Sequence, residues 1–341
     1  MQTESRVRIV DIAEELGLST ATVSNVIHGK TKKISDETVR RVQELLEERE
    51  YIPSMAGILL AQNDSRIIGV VINNHEKYEG HVLEDGFIAA NLNALSEEID
   101  HAGYFMMVKV TAEWNEISRF ASMWNMEGLV LIGFCEQDYK KLRETMRIPF
   151  VIYDGYVEET VKLSNIIVDN FDGGLRAGNY LKEKGHRKVL CISDNEICVD
   201  LERYQGLKAA LPQAELMIVP MAGEERYQFY SDRLSDIREH TAVFCVSDYY
   251  AVDLICFLMS RQIRVPEDIS VMGFDDTELG KMIRPSLTTI RQDSKERARE
   301  SLRLLEKLKY GAKQGDTIRL GVTLVERESV KEISVDSGQN A

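Results

Sequence analysis

The chain has 341 residues, 44% hydrophobic and 29% charged, with a formal net charge of −14. That is room for two or three domains and a large core, in a composition that excludes general disorder. Its apolar runs, such as GLVLIGF at 128–134, are strand-length and exclude a membrane span. The N-terminal MQTESRVRIVDIAEEL has no continuous apolar run of the secretory kind, so a cytoplasmic protein is expected.

The five cysteines form no CxxC pair and the six histidines show no HxxxH or HExxH spacing. Reduced core thiols, no metal and no cofactor are the expectation. The charge is uneven. Residues 1–62 hold eight Lys/Arg against ten Asp/Glu, and within them 30–41 is locally basic, with Lys30, Lys32, Lys33, Arg40 and Arg41 against Asp36 and Glu37. A nucleic-acid face, if there is one, is a local patch, because the rest of the chain would repel a phosphate backbone.

Residues 6–50 read as three short helices. Ile9, Ile12, Ala13 and Leu16 share a face, and Gly17 supplies the left-handed residue that ends the first helix. Ser19 caps a second helix with Val23, Val26 and Ile27 inward. Ser35, followed by Asp36 and Glu37, starts a third with Val39, Val42, Leu45 and Leu46 inward. Two helices around a glycine turn form a helix-turn-helix, whose second helix enters the DNA major groove. Thr20, Ala21 and Asn25 then face base edges, and Thr22, Ser24 and His28 flank them toward phosphates. A plain helical hairpin with a solvated face has the same spacing, and spacing alone does not choose between them. Pro53 breaks the pattern, and 54–62, SMAGILLAQ, reads as a linker that folds conditionally.

From Arg66 short apolar runs alternate with amphipathic segments. Strands are expected at 67–72, 104–110, 128–133, 149–154, 188–193, 242–247 and 270–274, with helices at 83–101, 114–125, 171–184, 200–211 and 249–260. Such alternation means parallel sheets covered on both faces, and two successive runs mean two doubly wound subdomains with a cleft between them. Ligands of such sheets bind beyond the carboxyl ends of the strands, which directs attention to Asn73, Asp154, Ser193, Asp248 and Asp275. No Ser/His/Asp set, phosphate-cradling loop or metal cluster accompanies these acids, so an enzyme is not expected.

The chain resembles the LacI/GalR family of bacterial transcription regulators over nearly its whole length. VRIVDIAEELGLSTATVSNVIHG looks like the family headpiece, YIPSMAGILLAQ its hinge and IIGVVI its first effector-domain strand. IIVDNFDGGLRAGNYLKEKGHRKVLCIS, ERYQGLKAAL, VFCVSDYYAVD and VPEDISVMGFDDTELGKMIRPSLTTIRQD match later blocks in order. The resemblance implies an all-α headpiece at 1–53, a hinge at 54–65 and a periplasmic-binding-protein-like effector region at 66–335, ahead of a polar tail at 336–341. The effector region would comprise an N-subdomain of about 66–167 and 294–322 and a C-subdomain of about 168–291 and 323–335.

The resemblance also implies a repressor dimer on double-stranded operator DNA, controlled by a small polar effector such as a sugar. Thr20, Ala21 and Asn25 occupy its base-reading positions, and Leu60 the position of a minor-groove wedge. Asparagine stands at 25 where arginine is commoner, and Gly57 weakens the hinge helix by about 1 kcal/mol relative to alanine. Effector contacts carried over are Asn73, Asp154, Arg203, Ser247, Asp248, Asp275 and Gln292, with Asp276 in support. Phe171, Tyr156 and Tyr249 are candidates for a stacking wall or for core, while Trp114 and Trp124 are assigned to helix packing. The polar end, EISVDSGQNA, lacks the leucine heptads of a tetramerisation tail, so a dimer is expected. The rival readings are a regulator answering to a phosphorylated metabolite or partner protein, and a cytoplasmic sugar-binding protein that does not regulate through DNA.

Overall fold

The computed structural model describes residues 7–52, 65–134, 146, 148–155, 163–311 and 315–333. Residues 54–64 of the expected hinge, with Gly57 and Leu60, as well as Tyr156 and the polar tail, lie outside them. The chain divides into two compact units, residues 1–65 and 66–341.

In the first unit, α1 (Ile9–Leu16) ends at Gly17, whose φ of 66° is the left-handed conformation a helix terminus needs there. Helix α2 (Thr20–Ile27) starts where the Ser19 hydroxyl accepts from the Thr22 amide at 3.1 Å. In the same way α3 (Asp36–Glu48) starts at Ser35, with Asp36 and Glu37 at its positive end. Ile12, Ala13, Val23, Val26, Val42 and Leu45 form the core. Ile9, Leu16, Ile27, Val39 and Leu46, also expected inward, pack at its edge.

The second unit holds two six-stranded sheets. The first has the order β11-β5-β4-β3-β1-β2, with β1 at Ile67–Ile72, β2 at Phe105–Val110, β3 at Gly128–Ile132, β4 at Phe150–Tyr153, β5 at Ser164–Val168 and β11 at Thr317–Leu320. All its pairings are parallel, with Val70 opposite both Val108 and Val130. Successive side chains of β1 serve opposite faces. Ile68, Val70 and Ile72 join the larger apolar cluster, while Ile67 and Val71 join a second with Ile117, Leu129 and Ile152. Burial on both faces is why this strand is an unbroken β-branched run with one glycine. Helices α4 (Gly86–His101) and α12 (Ser294–Lys309) pack on each other, and α5 (Trp114–Met123) supplies Ile117 and Ala121 to the second cluster.

The second sheet has the order β12-β10-β9-β8-β6-β7, comprising β6 (Val189–Ser193), β7 (Glu215–Ile218), β8 (Ala242–Cys245), β9 (Ser270–Asp275), β10 (Thr288–Gln292) and β12 (Val322–Val325). Only β12 runs antiparallel. Around it lie α6 (Asn170–Glu183), α7 (Cys198–Ala210), α8 (Gly223–Asp232), α9 (Leu234–Arg238), α10 (Asp248–Ser260) and α11 (Glu278–Met282). The chain passes from the first sheet to the second after Val168, returns after Gln292 through α12, and crosses again at Gly321.

Helices α6 and α7 approach at glycines. A Cβ on Gly174 would stand 1.9 Å from the Arg203 carbonyl oxygen, and one on Gly206 would stand 2.0 Å from that of Phe171. Two backbones therefore touch directly, and this contact sets where Arg203 begins.

The expected helix at 83–101 is a short 3₁₀ turn at Val82–Glu84 followed by α4, because Asp85 caps the helix by accepting from the Ile88 amide at 3.0 Å. Strands β5, β7, β10, β11 and β12 were not expected. The edge strands β7 (ELMI) and β11 (TIRL) mix polar with apolar residues and carry little periodic signal.

Candidate functional site

In the first unit, Thr20, Ala21 and Asn25 are exposed on α2, and Thr22, Ser24 and His28 are half-buried beside them. The Thr22 hydroxyl lies 2.9 Å from that of Ser19, so it shares in the helix cap as well as flanking the exposed face. Lys30, Lys32, Lys33, Arg40 and Arg41 are exposed too. The face is thus short polar side chains beside local positive charge, which suits base edges bordered by phosphates.

In the second unit a cavity of about 350 Å³ lies at the carboxyl ends of strands from both sheets. Six residues singled out from the sequence line it: Asn73, Asp154, Arg203, Ser247, Asp275 and Gln292. Asn73 follows β1 and donates to the Gly133 carbonyl at 2.9 Å. Asp154 follows β4 with a φ of 53° and accepts from Arg297 Nη2 at 2.6 Å. Asp275 ends β9 and accepts from Gln292 Nε2 at 2.6 Å. Ser247 is the cap of α10.

Arg203 is 6% exposed. Its Nε donates to Asn170 Oδ1 at 2.9 Å, its Nη1 to the Val246 carbonyl at 2.6 Å, and its guanidinium lies 3.7 Å from the Phe274 ring centre. Asp200 is at 4.0 Å, a loose ion pair. An arginine held on two sides and over a ring presents a preset fork of donors.

Asp248 does not line the cavity, which corrects its carry-over as an effector contact. It is fully buried, with Oδ2 accepting from the Thr277 amide at 2.7 Å and hydroxyl at 3.1 Å, and Oδ1 accepting from Thr289 at 2.6 Å. Both oxygens are spent on joining α10 to β10 and to the turn before α11. The reason is helix geometry: Asp248 is the first residue after the cap, one position past the residue that faces the cleft. Asp276 is a support, taken up by Arg291 at 2.6 Å and by Arg327. Ser193 is buried and donates to the Asn195 carbonyl at 2.6 Å, while the next residue, Asp194, reaches the cavity.

The stacking candidates divide similarly. Phe171 and Tyr249 are not on the wall, and Arg226 donates to the Tyr249 hydroxyl at 3.1 Å. The aromatic wall is Tyr78, Phe87, Phe134, Tyr153 and Tyr250. Trp114 packs at 5.0 Å against Phe134, whereas Trp124 is 43% exposed and is not buried helix packing.

The sequence reading also missed His75, Lys77, Asp85, Asp194, Asn195 and Asp200, all lining the cavity. The segment after β1 gave no periodic signal. Asp194 and Asn195 were accessible to the strand-end rule, one and two residues past the end of β6.

Five carboxylates, from Asp85, Asp154, Asp194, Asp200 and Asp275, therefore surround Lys77 and Arg203. Burial lifts Asp275 well above the usual carboxylate range, and Arg203 and Gln292 offset this only in part. Burial, with Asp194 beside it, pushes Asp200 up to about 6 against the pull of Arg203, Lys77 and Asn195. Burial opposes the Lys77 charge, but Tyr78, Asp194, Asp85 and Asp200 outweigh it and raise its pKa. Burial, then Lys77, lowers that of His75. The site is rich in acceptors, has a fixed guanidinium and is walled by rings. Among the described residues no group of His, Cys, Asp and Glu is arranged to hold a metal, and no helix is long and apolar enough to cross a membrane.

A helix-turn-helix unit joined to a two-sheet region with a strand-end cleft defines a DNA-binding regulator with a small-molecule site. The pattern of bacterial regulatory proteins of the lacI family matches residues 8–54, and that of the periplasmic binding protein-like domain matches residues 179–330. The chain is 30% identical to an HTH-type transcriptional repressor PurR of Vibrio atlanticus (strain LGP32), over 96% of this chain and 99% of that one. Its fold is similar to that of a lac repressor dimer bound to operator and the anti-inducer ONPF, with a TM-score of 0.80 at 24% identity, covering 96% of this chain and all of the other. It is also similar to that of a transcriptional regulator CelR–cellobiose complex, with a TM-score of 0.67 at 22% identity over 95% of this chain and all of the other.

The chain belongs to the LacI/GalR family of bacterial transcription regulators. It is a DNA-binding transcriptional regulator and not an enzyme.

Proposed function

We propose that this protein is a cytoplasmic repressor of a carbohydrate-utilisation operon, binding a palindromic operator as a homodimer under the control of a sugar in the inter-sheet cavity. The observation that carries the sugar is the acceptor-rich wall. Hydroxyls donate to Asp85, Asp154, Asp194, Asp200 and Asp275, and their oxygens accept from Arg203 and Lys77. A phosphorylated ligand fits the same wall poorly. One unit charge repels a like charge 4 Å away, and attracts an opposite one, by about 4 kcal/mol at an effective dielectric of 20. With Asp275 lifted well above the usual carboxylate range and Asp154 matched by Arg297, the remaining acids Asp85, Asp194 and Asp200 outnumber Lys77 and Arg203 by one. The CelR relative was solved with cellobiose, and the PurR relative carries the name of a repressor.

On DNA, Thr20, Ala21 and Asn25 read base edges, with Asn25 suited to adenine through a bidentate pair. Thr22, Ser24 and His28 bond phosphates, and Leu60 enters the minor groove at the centre of the site. Sugar that binds one arrangement of the two sheets more tightly shifts the population toward it. Operator affinity then changes by the same factor by which DNA changes sugar affinity.

The test is selection from random duplex DNA by the full-length protein, with and without pools of sugars, sugar phosphates and nucleobases. A palindrome whose recovery changes with a neutral sugar is the expected result. A response confined to sugar phosphates refutes the charge argument. A response confined to nucleobases shows that the aromatic wall, and not the carboxylates, selects the ligand. Absence of any enriched sequence refutes the regulator reading of the headpiece.

A further inference from the structure

Between β1 and α4 the chain runs through residues 73–85, and this segment forms one wall of the cavity. Its side chains divide by direction. His75, Lys77, Tyr78 and Asp85 line the cavity, while Asn74, Glu76, Glu79, Gly80 and His81 are exposed. Along 75–80 a single thickness of chain therefore lies between the cavity and solvent. The backbone bonds printed within it are local: the Tyr78 amide donates to the His75 carbonyl at 3.1 Å, Glu79 to Glu76 at 3.0 Å and His81 to Tyr78 at 2.7 Å. Such bonds shape a turn without holding it down.

Both ends of this strap belong to the half built on the first sheet, yet two of its side chains reach the half built on the second. Glu79 Oε1 accepts from the Gly223 amide at 3.3 Å. Gly223 is the first residue of α8, where unsatisfied amides and the helix dipole favour a carboxylate. Lys77 comes in among Asp194, which follows β6, and Asp200, in the first turn of α7, with Asp85 and Tyr78 on its own side. The acids that receive it are held still. Asn195 Nδ2 donates to Asp194 at 2.6 Å and to Asp200 at 2.8 Å, and the Tyr250 hydroxyl lies 2.7 Å from Asp194. Asn195 Oδ1 accepts from the Ile197 amide at 3.0 Å, which fixes the orientation of the bridging amide. The two fastenings have opposite sign, a carboxylate on the positive end of a helix and an ammonium among acids. Both are electrostatic, so both yield to salt and to a single change of charge.

We infer that residues 75–80 are a gate over the cavity, latched by Lys77 and Glu79, and that a ligand enters and leaves when both let go. The latch sets the rate of exchange for any small molecule the cavity takes, so the inference does not rest on the sugar reading.

The test uses a thiol inside the gate. Cys198, the first residue of α7, lines the cavity, and its reaction with iodoacetamide in the full-length protein, resolved by peptide mass, reports access. Cys191 and Cys245 are buried in the core and report unfolding. Glu79→Lys reverses the charge at the end of α8, and Lys77→Met removes the ammonium at near-constant length. Glu76→Gln, on the exposed side of the same turn, is the control. Cys198 should react about threefold or more faster in Glu79→Lys and in Lys77→Met, and at the wild-type rate in Glu76→Gln. Raising salt from about 0.1 M to about 1 M, which shortens the screening length from about 10 Å to about 3 Å, should speed the wild type in the same way. Loss of Lys77 by itself disfavours the thiolate and would slow the reaction, so a faster one reads access. A Cys198 rate unmoved by both variants and by salt overturns the gate. So does a rise that Cys191 and Cys245 share, because that is unfolding, or one that Glu76→Gln produces equally.

Discussion

Gly174→Ala tests whether backbone contact between α6 and α7 places the arginine of the cleft. The new methyl carbon would lie 1.9 Å from the Arg203 carbonyl oxygen and 2.8 Å from its carbonyl carbon. Ordinary contact begins near 3.4 Å, so the helices would have to part by more than 1 Å. Both clashing groups are backbone, and no rotamer change relieves them. Overpacking of this kind costs about 1–3 kcal/mol, and here the upper end applies. Alanine's helix preference over glycine returns about 1 kcal/mol. The net loss is therefore about 2 kcal/mol, or a fall in melting temperature of about 4–8 °C for a unit of this size.

Because Arg203 sits on the displaced segment, its bonds to Asn170 and Val246 at 2.9 and 2.6 Å would lengthen together. Effector affinity should fall along with stability. Gly321→Ala is the control, since no atom lies within 4 Å of its added carbon, and it should stay within about 0.5 kcal/mol of wild type. Calorimetric melting of the full-length variants reads both. A Gly174→Ala protein that melts at or above the wild-type temperature would refute the close-contact argument.

Two further outcomes follow from the buried acids. Asp248→Ala strands the Thr277 amide and the Thr277 and Thr289 hydroxyls in the core, so stability should fall by about 2–5 kcal/mol while sugar affinity stays within about threefold. Lost ligand binding at unchanged melting would return Asp248 to the ligand's contacts. Asp200 has its folded pKa raised from 3.8 to about 6, so its contribution to stability is full below 3.8 and is lost as pH rises through 6. The stability of Asp200→Asn minus that of wild type, from urea midpoints, should therefore climb between about pH 4 and pH 6 and then level off. A difference that is flat, or that falls with pH, would contradict the burial of this carboxyl.

The sequence by itself determined the elements whose pattern follows from local chemistry. Runs such as IIGVVI and AVFC are buried on both faces, and only a strand covered by helices tolerates that, so parallel sheets were legible without any knowledge of contacts. The headpiece was legible for the same reason: Gly17, Ser19 and Ser35 are terminators and caps whose geometry is decided within four residues. Of the cleft residues, Asn73, Asp154 and Asp275 were accessible from the ends of strands, whereas Arg203, Ser247 and Gln292 were accessible only through the family resemblance. Tertiary structure alone separated Asp248, turned into the core, from Ser247 beside it, since one residue along a helix start rotates a side chain by about 100°. It alone brought Arg297 from α12 onto Asp154, 143 positions earlier in the chain, and left two of its nitrogens buried with no hydrogen-bond partner among the described residues. No period or motif carries that information. Whether a polar group finds a partner depends on which distant backbone folds against it, and that is settled only when both sheets are in place.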